Sequence, residues 1–179
     1  MPPDIQVKQT NPLQYVILDT NIIQYSVNFP SSNAFRGYFS DLMNRGFGLA
    51  ISQISGYEIL RNKTIKQENE VFEFLNVFNN YYVSAEVLLT AARLYNFFRN
   101  EGVFKTNISD GDVIIAATSI WTNSLILTRN RGDFPYPFFL EVEVVPLSFI
   151  KSTGHSDCYT IALLKPNAEF ITDKINNRK

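Results

Sequence analysis

The stretch from Asp110 to Phe134 constrains the fold more than any other part of the sequence. Its first half, Val113 to Trp121, has almost no polar side chain, and a helix that is apolar nearly all round is a buried one. Its second half, Leu125 to Thr128, is a short apolar run, typical of a central parallel strand covered on both faces. The stretch therefore predicts a buried helix followed by an inner strand, with carboxylates at both ends, Asp112 and Asp133.

Short apolar runs alternate with amphipathic helical patterns along the rest of the chain. We predict strands over residues 15–18, 47–51, 81–83 and 142–145, the last ended by Pro146. We predict helices over residues 22–27, 33–44, 53–61, 62–79 and 84–101. This alternation indicates an α/β domain with a largely parallel sheet.

The length of 179 residues fits one domain with extensions. Residues 1–14 carry three prolines and many polar side chains, which predicts an irregular N-terminal extension. The domain is predicted over residues 15–146. Residues 147–179 are interpreted as a C-terminal extension, with an edge strand over 159–164 and a helix over 168–176.

Composition excludes several classes of function. A net charge of −1 and an isoelectric point near 5.8 argue against a strongly basic nucleic-acid coat. The single Cys158 can form neither an internal disulfide nor a thiolate metal cluster. No apolar run approaches the ~20 residues of a membrane span, and no secretory signal is visible. We expect a soluble, cytoplasmic protein.

Four acids are placed where they could meet. Ligands of an open parallel sheet bind outside the carboxyl ends of its strands. Asp19 and Asp133 each follow a predicted strand, Asp112 begins the buried helix, and Glu58 lies on the first helix after another strand. Each acid alone has an ordinary explanation as a helix cap, a helix-dipole partner, a solvated helix residue or a loop residue. Their shared placement is what suggests a site.

Bringing these acids together would cost free energy. Unit charges ~4 Å apart repel by about 4 kcal/mol at an effective dielectric near 20. Some of the carboxyls would then keep a proton, unless a divalent cation neutralised them. Oxygen ligands without His or Cys favour Mg²⁺ or Mn²⁺. Such a cation is suited to phosphodiester hydrolysis.

Four segments contain motifs in a recognisable order: Val16–Asn21 (VILDTN), Ile51–Ile59 (ISQISGYEI), Asp112–Thr118 (DVIIAAT) and Leu127–Phe134 (LTRNRGDF). Together they resemble the PIN-domain nucleases, and within them the VapC-like toxins, over about residues 15–145. The resemblance implies a three-layer α/β/α sandwich with a central, mostly parallel sheet. It also implies a Mg²⁺- or Mn²⁺-dependent endoribonuclease acting on RNA, inhibited by a small antitoxin protein and assembled as a homodimer.

The resemblance also assigns roles to individual residues. Asp19, Glu58 and Asp112 would be the catalytic metal ligands. Asp133 would be the fourth acid, acting on the metal through a water. Thr20 and Asn21 would brace Asp19. Thr128 would orient the loop after the last strand, and Asn130 would assist Asp133.

Two arginines beside the last motif are candidates for RNA phosphate contacts, because guanidinium groups fit phosphate oxygens. They are Arg129 and Arg131. The alternative for both is an ion pair with a neighbouring acid.

Two other functions remain open, and a third is disfavoured. The chain could be a non-catalytic binding module on the same fold, since Asn130 stands where an acid is also found in the family. It could be a free-standing nuclease without an antitoxin. A phosphatase or phosphotransferase with Asp19 as nucleophile is disfavoured, because Asn21 replaces the second acid of haloacid-dehalogenase-like enzymes and Arg129 follows the strand where receiver domains need a lysine.

Overall fold

The structure is a computed structural model that describes residues 13–27, 31–61, 63–100 and 108–176. The predicted N-terminal extension lies outside these ranges, apart from its last two residues. Within these ranges, no helix is both long enough and apolar enough to cross a membrane.

The strands are β1 (Tyr15–Leu18), β2 (Gly48–Ser52), β3 (Asn79–Tyr81), β4 (Leu125–Thr128), β5 (Phe139–Ile150) and β6 (Ser156–Pro166). They form one sheet in the order β3-β2-β1-β4-β6-β5. The first four strands pair in parallel, whereas β6 pairs antiparallel with both β4 and β5. The predicted α/β fold with a central, mostly parallel sheet is confirmed.

The helices are α1 (Thr20–Val27), α2 (Ser32–Asn44), α3 (Gln53–Leu60), α4 (Ile65–Leu75), α5 (Ala85–Asn100), α6 (Asp110–Thr122) and α7 (Ala168–Asn176). They cover both faces of the sheet and create two apolar clusters. On one face α5, α6 and α7 pack around Ile17 and Ile126. On the other face α1 and α2 pack around Leu18 and Leu127. Strand residues are thus buried on alternate faces, which explains the continuous apolar runs in β1 and β4.

Helix α6 is the buried helix predicted from the sequence. Most of its apolar residues lie in or against the core, with Ile115 fully buried. Trp121, in the last turn, is the exception and is 59% exposed. The N-cap is Ser109, whose hydroxyl accepts a hydrogen bond from the Asp112 N–H at 3.2 Å, while the Asp112 carboxylate accepts one from the Ser109 N–H at 2.8 Å. This capping box satisfies free N–H groups of the first turn. Asn123 ends the helix in the left-handed region, with φ of 51°.

Several predicted boundaries are wrong. The helix predicted over 62–79 ends at Leu75, because residues 79–81 pair with β2 instead. The strand predicted to end at Pro146 continues to Ile150. Proline is tolerated there because β5 is the edge strand, where a missing backbone donor need not break a ladder.

The strand predicted over 159–164 is present, but it is an inner strand and not an edge strand. β6 lies between β4 and β5, and its residues 161–164 are at most 1% exposed. The run Ile161–Leu164 is covered on both faces, as expected of an inner strand. The division predicted at residue 146 therefore falls within β5, and the C-terminal residues complete the same sheet. The predicted helix over 168–176 is confirmed as α7.

A chain that ends at Pro146 should not fold cooperatively. It would lose the partner of β4 and the buried side chains of Ile161, Leu163, Leu164 and Ile171. Each such side chain contributes about 1.5–3 kcal/mol when fully buried, against a total stability of about 5–15 kcal/mol for a typical domain. Thermal unfolding followed by circular dichroism measures this, with a chain ending at Asn176 as the control. A sharp transition of the shorter chain near the parent's melting temperature would contradict the expectation.

Candidate functional site

The carboxyl ends of β1 and β4 meet at one edge of the sheet, and Asp19 lies there, 1% exposed. Its N–H donates to the Leu127 carbonyl at 3.0 Å, which continues the pairing of the two strands. Its Oδ2 accepts hydrogen bonds from the Thr128 hydroxyl at 2.6 Å and the Asn21 amide at 2.5 Å. The Asp19 carboxylate is therefore fixed by residues from both strand ends.

Asn21 also connects α1 with the loop after β4. Its Oδ1 accepts from the Arg129 N–H at 3.1 Å, so its Nδ2 is the atom directed at Asp19. The Thr128 hydroxyl oxygen in turn accepts from the Asn130 N–H at 2.9 Å. The Arg129–Asn21 and Thr128–Asp19 bonds each link residues more than 100 positions apart. Together these hydrogen bonds set the orientation of the Asn21 amide and the Thr128 hydroxyl toward the buried acid.

Glu58 contacts Thr20 and Gly111, which are adjacent in sequence to two of the other acids. Its Oε2 accepts a hydrogen bond from the Thr20 hydroxyl at 2.5 Å. Its carboxylate also lies directly against Gly111: a Cβ added there would overlap Oε1 and would be 2.9 Å from Cδ. The sequence places Thr20 next to Asp19 and Gly111 next to Asp112. Glu58 is thus held between the segments that carry the two other acids.

Asp112 and Asp133 are held by their own local donors. The Asp112 Oδ2 accepts from the N–H and the hydroxyl of Ser109, both at 2.8 Å. Asp133 ends a single 3₁₀ turn over Arg131–Asp133, and its carboxylate accepts a hydrogen bond from the Asn130 side-chain amide. Asn21 therefore contacts Asp19, and Asn130 contacts Asp133, as predicted. Thr128 both donates to Asp19 and accepts from the Asn130 N–H of the last loop. The Thr20 hydroxyl, expected at Asp19, donates to Glu58 instead.

The two candidate arginines differ in their partners. Arg131 forms an ion pair with Glu141, at 2.9 Å between Nη1 and Oε1, with both side chains half exposed. Arg129 forms no ion pair with the described residues. Its Cζ lies instead 4.1 Å and 3.9 Å from the ring centroids of Tyr25 and Tyr159.

The acids influence one another electrostatically. Burial raises the pKa of Asp19 from its usual 3.8 to about 7; the Thr128 hydrogen bond opposes this shift, and the charges of Asp112 and Asp133 add to it. Burial and the charge of Asp112 raise the pKa of Asp133 to about 6, against the Asn130 hydrogen bond. The charges of Asp112 and Asp133 therefore reach Asp19, and that of Asp112 reaches Asp133, although the three residues lie far apart in the sequence.

The acids of the site are not arranged as a complete set of metal ligands. Among the described residues, no three His, Cys, Asp or Glu side chains are arranged around one point that could hold a metal ion. Each carboxylate faces its own hydrogen-bond donor. The chemistry of the site nevertheless fits a hard divalent cation, because its ligands are oxygens alone and because the ionised form of buried Asp19 needs a compensating positive charge.

Sequence reasoning missed Ser109 and Gly111. Ser109 had a usable signal, because Ser-x-x-Asp before an apolar run is a capping pattern. Gly111 had a weaker one: a glycine in the first turn of a buried helix often has a packing reason. This glycine leaves room for the side chain of Glu58, 53 positions earlier in the sequence, and no local pattern shows such a contact.

Comparison with known proteins gives one sequence relative and several structures of similar fold. No family model matches the chain. Ribonuclease VapC1 of Methanocaldococcus jannaschii is 31% identical over 88 residues, which are 49% of this chain and 62% of that protein. The match thus spans less than two thirds of the relative.

Among solved structures, VapBC2 from Rickettsia felis bound to a DNA fragment from its promoter matches with a TM-score of 0.57 and 23% identity, covering 69% of this chain and 94% of that chain. VapBC-1 from nontypeable Haemophilus influenzae matches with a TM-score of 0.56 and 24% identity, covering 68% and 90%. FitAcB from Neisseria gonorrhoeae matches with a TM-score of 0.54 and 21% identity, covering 66% and 90%. At these identities the structures show the fold.

The sheet order, the acidic edge and these matches define one class: the chain has the PIN-domain fold. Within that class, the resemblance to VapC-like proteins predicted from the motifs is confirmed.

Replacing Asp19 by Asn should make the metal-free protein more stable at high pH. A carboxyl whose pKa is raised to about 7 binds its proton more tightly in the folded state than in the unfolded state. Stability therefore falls as the pH rises from the unfolded value of 3.8 through about 7. Asn keeps an acceptor for Thr128 and Asn21 and has no charge to bury.

The measurement is the free energy of unfolding in EDTA as a function of pH, for the parent and Asp19→Asn. The advantage of the variant should grow by a few kcal/mol (on the order of the shift in pKa) across that range. A difference between the two proteins that does not change with pH would show that Asp19 ionises freely.

Proposed function

We propose that the chain is a divalent-metal-dependent endoribonuclease that hydrolyses RNA phosphodiester bonds, and that it is the toxin of a VapBC-type pair. The observation that carries this proposal is the buried Asp19, whose pKa is raised by burial and by the charges of Asp112 and Asp133 at the same edge of the sheet. The name of the relative, Ribonuclease VapC1, supports the activity.

In this proposal Asp19, Glu58 and Asp112 hold Mg²⁺ or Mn²⁺, and Asp133 acts through a water with the help of Asn130. The ion supplies an oriented, activated water and neutralises charge on the phosphate. The side chains of the chain itself do the positioning, since precise placement of a catalytic group accounts for much of its effect.

Each supporting residue has a defined contact. Thr128 and Asn21 hold the Asp19 carboxylate in one orientation through its Oδ2. Thr20 holds Glu58 through Oε2. The Asn130 amide donates to Asp133 and keeps its carboxylate beside the acidic edge.

A small antitoxin protein and a second copy of the chain are proposed as partners, in the cytoplasm. The antitoxin is supported by the similar structures, which are VapBC and toxin–antitoxin complexes. A short reading frame immediately upstream, whose product co-purifies with this chain and blocks RNA cleavage, is the expected finding. Cleavage by a chain whose gene has no such neighbour would instead favour a free-standing nuclease.

A non-catalytic binding module on the same fold is the second candidate. It is favoured by one observation, the absence among the described residues of three acids arranged around a common ion. The two candidates differ in whether removing a single carboxylate changes RNA cleavage.

Replacing Asp112 by Asn should reduce RNA cleavage by at least about a hundredfold, or about 2.7 kcal/mol in transition-state stabilisation. The Asn oxygen can still accept from Ser109, so the melting temperature should change little. The rate of cleavage of an RNA oligonucleotide with Mn²⁺, and its loss in EDTA, measure this. Asp110→Asn is the matched control, because Asp110 is an exposed acid on the same helical turn. Equal rates for the parent and Asp112→Asn would favour the binding module; loss of folding alone would mean that Asp112 is only a helix cap.

Replacing Gly111 by Ala should reduce cleavage without loss of stability. The new Cβ would displace the end of the flexible Glu58 side chain, and alanine favours a helix by up to about 1 kcal/mol relative to glycine. Gly56→Ala is the matched control, because a Cβ at Gly56 meets nothing closer than Leu75 Cδ1 at 3.8 Å, an ordinary contact. Melting temperature and cleavage rate are compared for both variants. Cleavage by Gly111→Ala at the parent rate would remove Glu58 from the proposed site.

A further inference from the structure

Arg129 has an environment that the proposed ligand set does not use. It follows the last residue of β4, and its guanidinium lies over two aromatic rings, Tyr25 of α1 and Tyr159 of β6. The two rings contact each other, with centroids 4.7 Å apart and planes tilted by 56°. Phe149 of β5 packs against Tyr159, with ring centroids 4.7 Å apart. The guanidinium therefore lies on a cluster of packed aromatic rings.

No carboxylate within the described part of the chain forms an ion pair with Arg129. Its Nε is buried and has no hydrogen-bond partner in the described part of the chain. The hydrogen bonds that Asp157 accepts from Lys151 and from the Cys158 N–H lower the pKa of this acid. The positive charge of Arg129 also lowers the pKa of Asp157, but by less than these hydrogen bonds do. Both oxygens of Asp157 are already engaged, with Lys151 Nζ at 2.7 Å and the Cys158 N–H at 2.9 Å.

The main chain of Arg129 is connected to the acidic edge. Its N–H donates to Asn21, whose amide donates to the Asp19 carboxylate. A strand of RNA lying across Asp19 would carry phosphates on either side of the cleaved bond, and Arg129 is one hydrogen-bonded residue away from Asp19. A guanidinium is the side chain best suited to bind such a phosphate, through two parallel N–H groups.

From these observations we propose that Arg129, supported by Tyr25 and Tyr159, binds an RNA backbone phosphate next to the cleaved one. The inference rests on the proposed ribonuclease activity and adds a subsite to it. It also gives the β5–β6 hairpin a function, because this hairpin supplies Tyr159 and Phe149. The part of the chain interpreted from sequence as a C-terminal extension would thus help to bind the substrate.

The test measures RNA binding apart from cleavage. A fluorescent single-stranded RNA is titrated by anisotropy in EDTA over a series of salt concentrations, using chains that carry Asp112→Asn with and without Arg129→Gln. One lost phosphate contact should weaken binding about tenfold and reduce the slope of log affinity against log salt by about 0.7. Arg93→Gln is the matched control: it removes the same charge from an exposed position on α5, which covers the opposite face of the sheet. Its slope should equal that of the parent.

Two further readouts separate a binding role from a structural one. In chains with an intact Asp112, Arg129→Gln should raise KM about tenfold with kcat nearly unchanged, because a contact with a phosphate that does not react is made equally in the ground and transition states. Tyr159→Leu keeps the arginine but removes one ring, and it should weaken binding in the same direction. If Arg129→Gln does not fold, Arg129→Lys is measured; weaker binding with an unchanged salt slope is then expected, since the charge remains and the paired N–H groups are lost.

Several results would overturn the subsite. These are a salt slope unchanged by Arg129→Gln, a loss confined to kcat, and RNA binding by Arg129→Lys equal to the parent's. Binding of an acidic peptide that depends on Arg129, with RNA binding unaffected, would assign the residue to a protein partner instead. If the parent cleaves RNA and these variants bind it normally, the subsite alone is wrong. If the parent neither binds nor cleaves RNA, the proposed function is wrong, and the subsite with it.

Discussion

The burial of one carboxylate, that of Asp19, is the constraint on which the site depends. The pairing of β1 with β4 puts this residue at the centre of the sheet edge, where it is 1% exposed and where the charges of Asp112 and Asp133 reach it. Two neutral donors, Thr128 and Asn21, hold it, but they supply no positive charge. A fold that keeps an acid in such a place carries a cost in stability that ordinary packing would avoid. A bound cation would offset that cost, and this is why a metal-dependent reaction is the function the geometry supports best.

The β5–β6 hairpin has a second structural consequence. Because β6 pairs with β4, the hairpin covers what would otherwise be an exposed edge beside the loop that follows β4. It also carries Tyr159, which contacts Arg129 directly after β4. One element thus completes the core through Ile161 and Leu163 and determines the surroundings of the site. Variation in this hairpin would therefore alter both the stability of the domain and the surface offered to a substrate.

Local sequence patterns predicted the elements whose type and burial depend on their own residues. The runs at β1 and β4 and helix α6 are continuous apolar segments bounded by polar residues, so their type and burial follow from the residues themselves. The common edge of the four acids follows from parallel strands, whose carboxyl ends lie together. Two features could not be predicted in this way. The apolar run at Ile161–Leu164 resembles that of β4, but its inner position depends on pairing with a strand more than 30 residues earlier. Tertiary packing determines the contact of Glu58 with Gly111, and nearby hydrogen-bond donors determine the direction of each carboxylate. The positions of these partners in space cannot be deduced from local sequence patterns.

The most direct test of the account is whether a cation displaces the proton of Asp19. Calorimetric titration with Mn²⁺ at a pH near 7, in two buffers that differ in ionisation enthalpy, measures both binding and the protons released. A pKa of about 7 for Asp19 predicts that Mn²⁺ binds with release of a substantial fraction of one proton, and that Asp19→Asn loses this release. No binding at millimolar Mn²⁺, or binding whose proton release is the same in Asp19→Asn, would contradict the claim that the buried carboxylate is there to hold a metal ion.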